Sequence, residues 1–112
     1  MQGSKAARKG SNPDNTFDVI FQGTSQKIVT SGSSTLSAAV GSMTTIVRCY
    51  ATTNTYIQFS TSSASDPTAN NSTSLYLPLG FIEYFGITPS TKIAVIQDSS
   101  SGTVYITEGA SV

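Results

Sequence analysis

The chain has 112 residues and a mass of 11.7 kDa, enough for one domain around a single core. It holds 19 Ser and 16 Thr, only 11% charged residues, one Cys, and neither His nor Trp. The lack of His excludes Ser-His-Asp and Cys-His sites and the common zinc sites, and a lone Cys neither closes an internal disulfide nor builds a thiolate metal site. Net charge is zero but uneven: Lys5, Arg8 and Lys9 give the first nine residues +3, and the rest of the chain carries −3.

Residues 1–15 have few apolar side chains, two Gly and a Pro, which predicts an extended arm without a core of its own. Its basic tip suits either an acidic partner surface or a solubilising start, and three cations are too few to argue for nucleic acid. No apolar run follows the tip, so no signal peptide is expected, and no run approaches the roughly 20 residues of a membrane helix. The expectation is a protein made and kept soluble in a cytosol.

From residue 16 the pattern changes. Phe17, Val19 and Phe21 alternate with Asp18, Ile20 and Gln22, the period-two signature of a strand. Lys27 to Thr30 forms a second short strand after Gly23-Thr24-Ser25, and Thr35 to Val40 reads as a third, with one helical turn as the alternative. Thr44 to Thr52 is the strongest, with Val47, Cys49 and Ala51 inward and Ile46, Arg48 and Tyr50 outward. Thr55 to Ser60 follows closely enough to form a hairpin with it. Residues 60–74 are almost devoid of apolar side chains. Such length suits a functional loop or a crossover between sheets.

Leu75 to Leu77, Phe81 to Gly86, Lys92 to Gln97 and Thr103 to Glu108 complete the set. The run KIAVIQ predicts burial on both faces, and Asp98 to Gly102 reads as a hairpin loop before the last strand. The whole predicts an all-β fold: a single β-sandwich, jelly-roll-like, of about eight short strands, with residues 1–22 an extended N-terminal arm bearing one strand and 23–112 the sandwich domain.

Candidate chemistry is sparse. Cys49 alternates with Val47 and Ala51 and reads as core. Glu83, in an apolar run, would pair with Arg48 or Lys92, face a neighbouring subunit, or lie on the outer face of an edge strand. The other acids read as surface solvation. The five Tyr residues suit a subunit interface or a sugar-stacking surface. No cofactor or metal site is expected.

Residues 46–109 carry a familiar pattern. It comprises Val47-Arg48-Cys49-Tyr50-Ala51-Thr52, then Leu77-Pro78-Leu79-Gly80-Phe81-Ile82-Glu83-Tyr84-Phe85, then Thr88-Pro89. Lys92-Ile93-Ala94-Val95-Ile96-Gln97-Asp98 and Ser101-Gly102-Thr103-Val104-Tyr105-Ile106-Thr107-Glu108 follow. This resembles small β-sandwich structural proteins of tailed bacteriophages, the capsid decoration or cement proteins. It departs from them at the polar loop, which is longer here, and at Tyr50, where a small aliphatic residue is commoner.

The resemblance implies a virion protein on the capsid surface that acts by binding alone. Each copy would bridge neighbouring major capsid subunits, as a homotrimer fitted to local three-fold axes. Phe17, Val19, Ile20 and Phe21 would add a strand to, or pack on, a neighbour. Lys5, Arg8 and Lys9 would meet acidic capsid surface, and Glu83 and Tyr84 join the expected partner-binding set. Other readings are a tail or head-fibre component using the Tyr set and loop 60–74 on a receptor or glycan, a carbohydrate-binding module, and a small hydrolase. No Trp and a start at Met1 count against the third, and the missing His and paired acids against the fourth.

Overall fold

The computed structural model describes residues 19–111. Eight strands form two four-stranded antiparallel sheets, and the described residues include no helix. Sheet A runs in the order β1 (Val19–Val29), β8 (Thr103–Ser111), β3 (Ile46–Ala51), β6 (Ile82–Gly86). Sheet B runs β2 (Thr35–Leu36), β7 (Ile93–Gln97), β4 (Thr55–Phe59), β5 (Leu75–Leu77).

The pairing is nested. The first strand pairs with the eighth, the second with the seventh, the third with the sixth and the fourth with the fifth. The chain is in effect one long hairpin folded about β4–β5 and wrapped so that successive pairs fall in alternate sheets. Only β4 and β5 are both consecutive and paired.

Two expected hairpins are therefore corrected. β3 and β4 lie in different sheets, and so do β7 and β8, so Thr52–Asn54 and Asp98–Gly102 cross between layers. The 60–74 segment, conversely, is not a crossover, because the strands it joins pair with each other. The boundary drawn between residues 22 and 23 falls inside β1, which absorbs the two short strands expected there and steps its register between Phe21 and Ser25. Of the expected arm, residues 1–18 lie outside the described residues.

The alternation along each strand decides the core. Val47, Cys49 and Ala51 of β3 and Val104 and Ile106 of β8 face Ile57 of β4, Leu77 of β5, and Ile93 and Val95 of β7, all fully buried. Each such aliphatic side chain contributes about 1.5–3 kcal/mol by leaving water. Phe59 and Phe85 close one side of this core with their rings 5.0 Å apart.

β7 is buried on both faces, as KIAVIQ predicts, because a second small cluster forms on its outer side. There Ala94 and Ile96 meet Ala69 from the 60–74 loop and Tyr56 from β4. The loop is thus a cover for the β7 part of sheet B. Its backbone at Ala69 donates to Ser34 Oγ at 2.9 Å, and its Asp66 pairs with Lys92 at 3.7 Å.

The expected strand at Thr35–Val40 shortens to two residues. Ser37 Oγ accepts the Ile93 N–H at 2.9 Å, which takes the place of a backbone acceptor and ends the ladder. The Ser-rich composition finds its use in such bonds. Ser31, Ser60, Ser62 and Ser74 all tie down neighbouring loop backbone.

Candidate functional site

The 60–74 loop covers the β7 part of sheet B at Ala94 and Ile96, whereas the outer face of sheet A is open, and the register lays out its side chains in rows. Ser25, Thr107, Arg48 and Tyr84 form one row across β1, β8, β3 and β6. Lys27, Tyr105, Tyr50 and Ile82 form the next. Phe21, Gly109, Ile46 and Gly86 form the row nearest the start of β1.

Rings from opposite edges of the sheet meet over the middle. Phe21 and Tyr84 have centroids 5.7 Å apart at 56°, although β8 and β3 lie between their strands. Gly109 makes this possible. A Cβ there would stand 2.9 Å from Phe21 Cδ1 and 3.0 Å from Ile46 Cγ2, so only glycine leaves room for the ring to lie across β8. Tyr50 and Tyr105 form a second tilted pair at 6.4 Å and 48°. Tyr84 is 56% exposed and Ile82 47%, so this is an uncovered apolar and aromatic surface.

Its polar groups are all donors or hydroxyls. Ser25 Oγ and Thr107 Oγ1 are 3.1 Å apart. Lys27 Nζ stands 5.9 Å from the centroid of the Tyr105 ring, and Arg48 is exposed beside Thr107. Ser25, Arg48, Tyr50, Tyr105 and Thr107 enclose a depression of about 270 Å³.

The acids lie elsewhere. Glu83 sits opposite Cys49 on the inner row of β6, so it does not share a face with Tyr84. β6 is an edge strand, and Lys92 is committed to Asp66. Glu83 thus stands at the rim of the core, and burial, aided by the nearby Glu83 charge, pushes the Cys49 thiol up to about 12. Cys49 is therefore a protonated core side chain at neutral pH.

Glu108 departs from the surface role expected of it. It is 9% exposed at the inner end of β8, where its Oε1 accepts from the Gly41 N–H at 2.9 Å and the Thr44 hydroxyl at 2.7 Å. It pins the 41–44 turn beside an open hollow of about 440 Å³. Among the described residues no three His, Cys, Asp or Glu side chains gather as a metal site would require, and no helix is long and apolar enough to cross a membrane.

Of the residues expected to bind a partner, Phe21 and Tyr84 are brought together, and Val19 and Ile20 begin the same strand as Phe21. Glu83 is on the other side of its sheet. Lys5, Arg8, Lys9 and Phe17 lie outside the described residues. The Tyr set divides: Tyr50, Tyr84 and Tyr105 share sheet A, while Tyr56 and Tyr76 stack at 5.3 Å on sheet B. The grouping of Lys27 and Arg48 with Tyr50 and Tyr105 was missing from the sequence reading. Alternation places Arg48 and Tyr50 on the outer face of β3, but only the register puts Lys27 and Tyr105 beside them.

Comparison with protein-family models, curated proteins and solved structures gives no match for this chain.

Proposed function

We propose that the chain is a bacteriophage capsid decoration or cement protein that binds the capsid exterior and bridges neighbouring major capsid subunits, with no reaction catalysed. The observation that carries the reading is the Phe21–Tyr84 pair: an exposed aromatic contact at the start of β1, where the basic N-terminal segment joins the sandwich. The resemblance over residues 46–109 supports it. So does the eight-stranded two-sheet sandwich, whose nested pairing is compatible with the jelly-roll-like winding expected.

In this reading the end of sheet A at Val19, Phe21 and Tyr84 docks on a capsid subunit. The segment before β1, with Phe17, would reach a neighbouring subunit, the edge of β1 at Val19 to Phe21 would offer it strand addition or packing, and Lys5, Arg8 and Lys9 would meet its acids. The self-association proposed is a homotrimer at local three-fold axes. Added interface area raises the barrier to rupture of the shell under packed DNA.

The test is copy number in purified particles by quantitative mass spectrometry, alongside deletion of residues 1–15. The reading expects copies comparable to the major shell protein, and lower occupancy of the truncated chain with its melting temperature unchanged. A handful of copies per particle would favour a tail or head-fibre component that binds a receptor or glycan, a reading for which the Arg48 depression is the specific support. Absence from particles would refute both.

A further inference from the structure

The depression on the outer face of sheet A is built from complementary parts, and neither Phe21 nor Tyr84 lines it. Two tilted phenol rings, Tyr50 and Tyr105, each a little over one-third exposed, line it. C–H surface packs on the faces of such rings while the hydroxyls of a ligand stay wet.

Beside the rings, the Ser25 and Thr107 hydroxyls share one hydrogen bond, which leaves one of the two hydroxyl protons and spare lone pairs for a ligand. Arg48 presents a planar fork that matches a carboxylate bidentately, and no ion pair engages it among the described residues.

The charge on this face points the same way. Of the three cations in residues 19–111, Lys27 and Arg48 are both here. None of the four acids is: Glu83 and Glu108 are on inner rows, and Asp66 and Asp98 are in loops. The rest of residues 19–111 carries one cation, Lys92, against the four acids, so this patch is a local reversal of sign.

The geometry points to a binding site for an acidic sugar: one pyranose ring carrying a carboxylate, with its apolar face on Tyr50 and Tyr105, its carboxylate on Arg48 and its hydroxyls on Ser25 and Thr107. A volume of about 270 Å³ lies just below the range of pockets for drug-sized ligands, which suits a single ring.

Two other occupants fit less well. A second copy of this face related by a two-fold axis would set Lys27 and Arg48 against their own images with no acid to separate them. Single-stranded nucleic acid would also stack on Tyr, but it needs a cationic track along several phosphates, and two cations do not make one. The inference does not rest on the capsid reading, since it concerns the isolated chain.

The test is titration of the full chain with trigalacturonate, triglucuronate and sialyllactose, with maltotriose as the neutral control and a thymidine oligonucleotide as the nucleic-acid control. Tyrosine fluorescence reports binding directly because the chain has no Trp. The expected result is binding of at least one acidic sugar, weakened by added salt and roughly tenfold tighter than maltotriose, the worth of one charge-assisted bond. Arg48→Gln should remove that preference, Arg48→Lys should keep part of it, and Tyr105→Ala should weaken all sugar binding. Tyr76→Ala on sheet B should change nothing.

Circular dichroism establishes that each variant is folded, and Thr107→Val gives a second, milder probe of the same depression. No binding to any acidic sugar, equal binding of maltotriose, or full affinity in Arg48→Gln would overturn the proposal. So would tighter binding of the oligonucleotide, or a dimer in solution that Arg48→Gln alters.

Discussion

Replacing Glu108 by alanine removes the acceptor of two bonds at once, from the Gly41 N–H at 2.9 Å and the Thr44 hydroxyl at 2.7 Å. A bond to a charged acceptor is worth about 1.5–3 kcal/mol, and a donor left unpaired in a buried place costs about 1–3 kcal/mol. The adjoining hollow lets water reach part of the site, so the lower half of the summed range applies, about 2–4 kcal/mol. For a domain of this size that is a fall in melting temperature of roughly 10–25 °C. Glu108→Gln keeps a carbonyl acceptor and loses the charge, and should cost about half as much. Urea denaturation followed by circular dichroism measures all three proteins, and Thr44→Val completes a double-mutant cycle. The cycle should return about 1–2 kcal/mol of coupling, because the Thr44–Glu108 bond is buried. If Glu108→Ala costs no more than about 0.5 kcal/mol, as an ordinary surface substitution does, the carboxylate does not pin the 41–44 turn and the reasoning fails.

The Cys49 thiol is raised from 9.0 to about 12, so between those values the unfolded chain binds fewer protons than the folded one. The stability it contributes is complete below pH 9 and is lost as pH rises toward 12. Cys49→Ala should flatten that limb of a stability–pH curve by up to about 1.4 kcal/mol per pH unit, and an unchanged slope would refute the assignment. Gly109→Ala should cost about 1–2 kcal/mol by pushing the Phe21 ring off Tyr84, whereas Gly86→Ala, whose new Cβ meets nothing within 4 Å, should stay within about 0.5 kcal/mol; equal melting temperatures would contradict this. Ala69→Asp sets a charge between Ala94 and Ile96 and should cost about 1–3 kcal/mol, with faster proteolysis within 60–74 as the readout.

The strands and their inner faces were legible because period-two alternation is a local property. Val47, Cys49 and Ala51 declare their face within six residues, and KIAVIQ declares its double burial in the same way. Partner choice is not local. The short links at 52–54 and 98–102 look like hairpin turns, yet each carries the chain across the core, because the two sheets must bury their apolar faces against each other. The same limit hid the binding surface. Arg48 and Tyr105 are 57 positions apart and become neighbours only once β3 lies against β8. Glu108 looked like a solvated acid because its partners, Gly41 and Thr44, are ordinary turn residues far away in the chain. Two alanines in the polar 60–74 stretch gave little sign that Ala69 would cover Ala94 and Ile96.

The edges of the two sheets bear on where a partner would attach. A free edge offers unpaired backbone groups to any passing strand, and folded proteins blunt such edges by shortness, by proline or by an inward charge. Three of the four edges here are blunted: β2 has two residues, β5 has three and is followed by Pro78, and β6 carries Glu83 on its inner row. The fourth, β1, has 11 residues. Its later half is flanked by the chain, since the Gln26 carboxamide accepts the Ala38 N–H at 2.9 Å and donates to the Ala38 carbonyl at 3.2 Å. Phe21 of the Phe21–Tyr84 pair lies in its earlier part, which follows directly on the basic segment. In the proposed reading, strand addition at this edge of β1 would hold a neighbour, and the deletion of residues 1–15 is the perturbation that tests it.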